Sequence, residues 1–322
     1  MAGQPAAPLS CRMNWNLFVT ELVAGISHGS VYALIALGYS MVYGILKLLN
    51  FAHGDVYMVG SFIGYGIIGV FGGATNLSVP VWALLTLMFL GAMLGGGLLG
   101  VMIERFAYRR LRNAPRIAPL ITALGVSFFL ENAAQLVLGA QYQSYNSFSW
   151  KSPIAFEHFG LPAGAVISYA EVIIIVGTIV LVVGLTLFVQ RTQLGKAMRA
   201  TSFDREAAAM MGIDVDRVIV ATFFIGSALA GAAGIFNGIE YQQVWPYMGF
   251  TAGLYAFIAA VVGGIGSLPG AVLGGLTIGL AQAFSIGYIS STFSDAVVFA
   301  ILIAVMIVRP SGLLGRAAVS KV

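Results

Sequence analysis

Residues 48–60 read LLNFAHGDVYMVG, and they set Asn50, His53 and Asp55 close together in a chain that is 59% hydrophobic and only 9% charged. At mid-bilayer a carboxylate costs roughly 2.5 to 3.5 kcal/mol on insertion scales, so such groups face a bundle interior or a wet pathway. The meaning of the cluster therefore depends on the rest of the chain. A mean hydropathy of +0.93 lies far from that of a soluble domain, where about a quarter of the residues are charged. The protein is read as an integral membrane protein.

A spanning helix needs about 20 mostly apolar residues. Candidates fall near 17–37, 52–72, 80–103, 117–138, 169–190, 217–239, 251–264, 268–287 and 293–309. The expected fold is all-α, a polytopic transmembrane helix bundle of about 8–9 spans or half-spans. The 41 glycines suit it, because helices in lipid associate through close packing of small residues. A β-barrel would show alternation instead. Residues 17–46 are almost continuously apolar, about 45 Å of helix against a core of roughly 30 Å. One long tilted helix fits, and so does a span followed by a half-helix, which leaves the side of the N-terminus open.

The pI of about 9.2 reflects clustering rather than a nucleic-acid surface. Arg105, Arg109, Arg110, Arg112 and Arg116 share one loop, Arg191, Lys196, Arg199, Arg205 and Arg217 another, and Arg309, Arg316 and Lys321 the C-terminus. The positive-inside rule makes these regions, and the C-terminus, cytoplasmic. The 139–168 loop, with Tyr142, Tyr145 and Trp150, is then an interfacial segment on the other side. The single Cys11 excludes an internal disulfide and a cysteine-rich metal site. Residues 1–13 have neither a basic start nor an apolar core, so they read as a flexible tail rather than a cleaved signal.

Two segments look broken. In the first, Asn50 can cap a helix and Gly54 marks the discontinuity. In the second, AAVVGGIGSLPGAVLGGL (259–276) places Gly263, Gly264, Gly266, Pro269 and Gly270 between two apolar runs. A pair of Gly/Pro-interrupted segments in corresponding halves points to a substrate pathway, where freed backbone groups and helix ends meet a ligand. Asn50, His53, Asp55 and Tyr57, with Gly264, Gly266 and Ser267 opposite, are the candidate pathway residues. The plainer assignment gives Asn50 a cap, His53 a neighbouring carbonyl, Asp55 a helix-dipole role and the glycines tight packing. His28 and His158 read as structural.

The second basic loop, 191–217, contains DREAAAMMG. Ser202 or Asp204 starts a short helix and Gly212 ends it. Its thin alanine face suits a groove on another protein. The spacing EAA, three residues, G resembles the coupling-helix signature of bacterial ABC importer permeases, although their further I-x-L-P element is replaced by TFFI at 222–225. Four longer blocks add to this: YALIALGYSMVYGILKLLNFAHGDVYMVGSF, GKAMRATSFDREAAAMMGIDVDRVI, YMGFTAGLYAFIAAVVGGIGSLPGAVLGG and MIVRPSGLLGR. In content and order they resemble the Liv-type branched-chain amino-acid permeases of bacterial ABC importers.

That resemblance implies a single permease domain over 14–322 in the bacterial inner membrane. It also implies cytoplasmic ATP-binding subunits, a second homologous permease and a periplasmic solute-binding protein as partners. The ATPase contact would fall on Arg199, Asp204, Glu206, Ala207, Ala208 and Gly212. No G-x-x-x-x-G-K-[ST], H-E-x-x-H, G-x-S-x-G or paired Cys/His spacing occurs, so no cofactor, metal site or catalytic residue is assigned. Urea or short amides are the alternative substrates. A less favoured class is an ion-coupled secondary transporter using Asp55, Glu131 or Asp295, for which a docking helix has no use.

Overall fold

A computed structural model describes residues 15–71, 80–111, 114–115, 117–145 and 167–315. The expected 1–13 tail and much of the 139–168 loop, including Trp150 and His158, lie outside the described residues. The elements are α1 (Trp15–Leu46), α2 (His53–Val70), α3 (Val81–Ile103), α4 (Ile117–Leu138), β1 (Gln143–Ser144), α5 (Tyr169–Arg191), α6 (Gln193–Phe203), α7 (Arg205–Met210), α8 (Val215–Tyr241), β2 (Gln243–Val244), α9 (Met248–Gly263), α10 (Leu268–Tyr288) and α11 (Ser294–Val308). Among the described residues, seven helices are long and apolar enough to cross a membrane. The 18-residue α2 and the 16-residue α9 fall outside that set. Beyond helices, β1 and β2 form a two-residue antiparallel pair.

The ambiguous N-terminal run is one helix of 32 residues. It ends at Leu46 because Lys47 takes a left-handed backbone, φ 55°, a conformation that costs a non-glycine residue about 1 kcal/mol or more. From there the chain turns back into the bundle instead of leaving it. Helix α1 lies antiparallel to α10, with Gly25 and Gly29 meeting the backbone of Leu280 and Leu276. A Cβ on Gly29 would stand 2.8 Å from the Leu276 Cα and 2.9 Å from the Gly275 carbonyl oxygen, so the two backbones touch directly. In lipid this contact replaces the hydrophobic driving force available in water.

The described members of all three basic clusters gather at one end of the bundle. A π-helical turn, Glu104–Tyr108, extends α3. Arg109 just beyond it donates to Asp216, at the start of α8, at 3.0 Å. The Arg205 guanidinium donates to the Ile45 carbonyl at the end of α1. The chain following Arg309 returns to the end of α9, where the Leu313 and Leu314 N–H groups donate to Val262 and Gly263 at 2.8 and 2.9 Å. Because α1 ends among them, its Trp15 end lies at the opposite end. Helices α3, α4, α5 and α11 present exposed Leu, Val, Ile and Phe outward, as lipid-facing helices do.

The α1–α10 contact generates a test. Gly29→Val forces two backbones apart and is expected to destabilise the purified protein by about 3 kcal/mol or to prevent its accumulation. Gly66→Ala, at a position with nothing within 4 Å, is expected to leave the melting temperature within about 2 °C of wild type. Thermal unfolding in detergent compares them.

Candidate functional site

The first broken segment is the 47–52 link. Several of its polar groups find partners other than those the sequence suggests. Helix α2 begins after Ala52, with no side-chain cap. Asn50 does not cap it: the Asn50 Oδ1 accepts from the Tyr108 hydroxyl at 3.2 Å, and the same hydroxyl lies 3.0 Å from the Leu49 carbonyl. The Asn50 carbonyl takes the His53 N–H at 3.0 Å. The break also precedes Gly54, which serves instead to admit the backbone of α9, a Cβ there falling 2.8 Å from the Gly253 Cα.

His53 is 1% exposed. Its ring occupies the space a Cβ on Gly38 would need, lies edge-on to Tyr39 at 5.0 Å and faces the Ile35 carbonyl. Gly38 precedes the end of α1 by about 12 Å of helix, so α2 starts well inside the bundle. Asp55, 0% exposed, sits in the first turn of α2. Ser127 and Glu131 of α4 face it, Ser127 close enough to interact with the carboxylate. Burial of such a group is costly, and Ser127 and the positive end of α2 offset part of that cost.

The candidate pathway residues do not converge on one place. Gly264 and Gly266, with φ +106° and +90°, shape the α9–α10 turn, and Ser267 caps α10 by accepting the Gly270 N–H at 3.2 Å. This turn packs at the basic end against Gly315 and near Gly44, not beside Asp55.

Tyr57, two residues beyond Asp55, lines a half-open chamber of about 260 Å³ between α1, α2, α8, α9 and α10. His28 and Tyr32 enter it from α1, Asn237, Glu240 and Tyr241 from α8, and Gln282 from α10. His28 stacks on Tyr241, ring centroids 5.7 Å apart, with its Nε2 3.1 Å from the Tyr241 hydroxyl. Tyr32 donates to the Gln282 Oε1 at 2.7 Å, and Tyr255 donates to Asp295 behind the wall. His28, expected to be structural, lies on this wall. His28 and Tyr32 at i, i+4, with Asn237, Glu240 and Tyr241 at i, i+3, i+4, carried the signal: polar stripes on otherwise apolar helices.

Tyr145 also departs from expectation. It is 1% exposed rather than interfacial, and it donates to the Ser61 carbonyl at 2.6 Å in space left by Gly64 and Gly238. Tyr142 stays exposed and packs on Trp245, 5.3 Å between rings. A larger groove of about 770 Å³ lies at the basic end. Its charges pair within the chain, Arg109 with Asp216 at 3.0 Å and Arg217 with Asp214 at 2.8 Å, on an open rim.

The basic loop holds two helices. The first, α6, has 11 residues, and Asp204 ends it and caps α7, its Oδ1 accepting from Glu206 and Ala207 N–H at 2.9 and 3.0 Å. Helix α7 closes with the Gly212 N–H on the Ala209 carbonyl and the Ile213 N–H on the Ala208 carbonyl, Gly212 having φ +82°. Ala208 points into the bundle at 5% exposure. The free face carries Glu206 with Phe203, Met210 and Met211, these last three 91%, 82% and 83% exposed. Arg199 reaches back toward the Gln190 carbonyl at 3.5 Å.

The family described as branched-chain amino acid transport system / permease component matches residues 22–306. The high-affinity branched-chain amino acid transport system permease protein LivH of Salmonella typhimurium is 43% identical over 308 residues, 95% of this chain and 98% of that one. BraD of Pseudomonas aeruginosa, of the same description, is 44% identical over 307 residues, again 95% and 98%. The probable permease LivH of Methanocaldococcus jannaschii is 28% identical over 303 residues, 91% of both chains.

The α7 closure is testable. Nothing lies within 4 Å of a Cβ on Gly212, so Gly212→Ala costs only the left-handed backbone, roughly 1 to 2 kcal/mol. Amide exchange over residues 207–213 is expected to accelerate about 5- to 30-fold if opening stays local, with the spanning helices unchanged.

Proposed function

Because the chain belongs to the branched-chain amino-acid transport permease family, we propose that it forms the translocation path for leucine, isoleucine and valine in an ABC importer driven by partner ATPases. Family membership across residues 22–306 carries this reading. The chain is a multi-pass membrane permease. Further partners would be a second permease subunit and an extracytoplasmic solute-binding protein. Placing the basic end in the cytoplasm follows from the positive-inside rule, and it puts the C-terminus inside and the Trp15 end of α1 outside.

The geometry supports a coupling route. In this reading the ATPase meets the free face of α7, where Phe203, Glu206, Met210 and Met211 lie, while Ala208 seats the helix on its own bundle. Met side chains suit such a contact because they repack easily. Arg205, the first residue of α7, holds the Ile45 carbonyl. A shift of α7 therefore pulls on the end of α1 and on the 47–52 link, which leads directly to His53, Asp55 and the Tyr57 wall of the chamber. Asn50, His53 and Asp55 then act as supports of the moving link, and Gly264, Gly266 and Ser267 as the tight turn beside it. The lining suits an amphipathic solute: among the described residues it has no Lys or Arg for a strongly anionic one.

Uptake of labelled leucine by the reconstituted importer, competed by excess valine, urea and acetamide, tests the function. Leucine uptake blocked by valine alone is expected. Carriage of urea or acetamide without leucine would reject the amino-acid assignment.

Two substitutions test the route. Asp55→Asn keeps the shape and removes the charge, and is expected to reduce uptake at least fivefold at unchanged protein level; a mere helix-dipole role would cost about 0.3 to 1 kcal/mol of stability and leave uptake intact. Met210→Glu combined with Met211→Glu is expected to abolish co-purification of the ATPase while the membrane level stays normal. Retained co-purification would place the docking face elsewhere.

A further inference from the structure

We propose that the chamber grips the backbone of a zwitterionic amino acid, with Glu240 taking the ammonium and Asn237 the carboxylate, so that the permease has a polarity-reading site of its own. The inference rests on the permease reading above and adds to it a defined ligand chemistry.

The first observation is an orphan donor. Asn237 is 5% exposed, its side chain lines the chamber, and its Nδ2 has no hydrogen-bond acceptor. A buried N–H left without an acceptor is unfavourable, and a ligand carboxylate relieves it. Gln282, across the chamber on α10, has its Oε1 engaged by Tyr32, so its amide N–H₂ is the group of that side chain able to donate to the same carboxylate.

The second observation is spacing. Glu240 follows Asn237 by three positions on α8 and lines the same chamber. Residues so spaced have Cβ atoms about 5–6 Å apart on one helix face. The ammonium and carboxylate of an α-amino acid hang from a single carbon, so a donor and an anion one turn apart address both at once. A neutral amide or urea offers nothing that needs the anion.

The remaining walls complete the fit. Tyr32 and Tyr255 lie 5.6 Å apart, their hydroxyls already donating to Gln282 and Asp295, which leaves aromatic surface to face a cation. Val31, Met248 and Ala252 supply an apolar wall for a branched aliphatic side chain. At about 260 Å³ the space lies just under the ~300–1,000 Å³ of pockets for drug-sized ligands, which favours a small solute over an oligosaccharide.

The test uses the complete importer in proteoliposomes, assembled with wild-type chain, Glu240→Gln, Asn237→Asp or the control Gly66→Ala. Glu240→Gln removes the anion at constant shape, and Asn237→Asp sets a second carboxylate where the ligand's own would sit. Each is expected to lower leucine uptake at least tenfold, with melting temperature and ATPase co-purification at wild-type levels, while Gly66→Ala transports normally. Uptake within twofold of wild type in both variants would overturn the site. Loss of assembly in both variants would likewise overturn it, by making the residues structural. Absence of leucine uptake by the wild-type importer would instead overturn the permease reading on which the site depends.

Discussion

Inside a bilayer every backbone N–H and C=O must find a partner within the protein, and the interrupted path from α1 to α2 exists only because the bundle meets that demand. The chain leaves α1 at Lys47 and starts α2 about 12 Å of helix deeper. In between, the Tyr108 hydroxyl serves the Leu49 carbonyl and the Asn50 side chain, and the Asn50 carbonyl takes the His53 N–H. Arg205 covers the Ile45 carbonyl at the exposed end. Tyr108 and Arg205 come from distant parts of the chain, so the break is a product of tertiary packing around a short local signal.

Close backbone approach makes that packing possible. Gly38 leaves room for the His53 ring, and Gly29 lets α1 lie directly on α10. These contacts hold α1 in the middle of the molecule, with α5, α8, α9 and α10 packed around it and α2 touching it more lightly. The same arrangement leaves the chamber, because the positions facing it carry Tyr, Asn, Gln and His instead of interlocking small residues. A single helix thus links the latch at Ile45 to the wall at His28 and Tyr32. That continuity runs from the basic end of the bundle to the chamber wall.

Much was legible from local pattern. The spans followed from apolar length, and the α7 boundaries from Asp204 and Gly212, since caps and left-handed closures are set within a few residues. The second break at Gly263–Gly270 was equally local. Partnership across the bundle was not legible. Asn50 has the composition of a cap, and only the arrival of Tyr108 gives it another role. Tyr145 reads as interfacial by its loop, and only Gly64 and Gly238, far away in sequence, admit it to the interior. Ala208 looks like a docking residue in an alanine run, and only the bundle behind α7 shows which face is covered.

The sequence by itself determined the membrane class, the helical architecture, the two interruptions and the family, because hydropathy length, Gly/Pro placement and ordered motif blocks are properties of neighbouring residues. Tertiary structure alone decided that α1 is one helix with its start opposite the basic end, that the two breaks lie at different depths, and that His28, Tyr57, Asn237, Glu240 and Gln282 share one chamber. The physical reason is that apolar periodicity in lipid says little about which helix faces which. That choice is made by backbone contact at a few glycines and by polar groups, distant in sequence, that must satisfy one another where no water can.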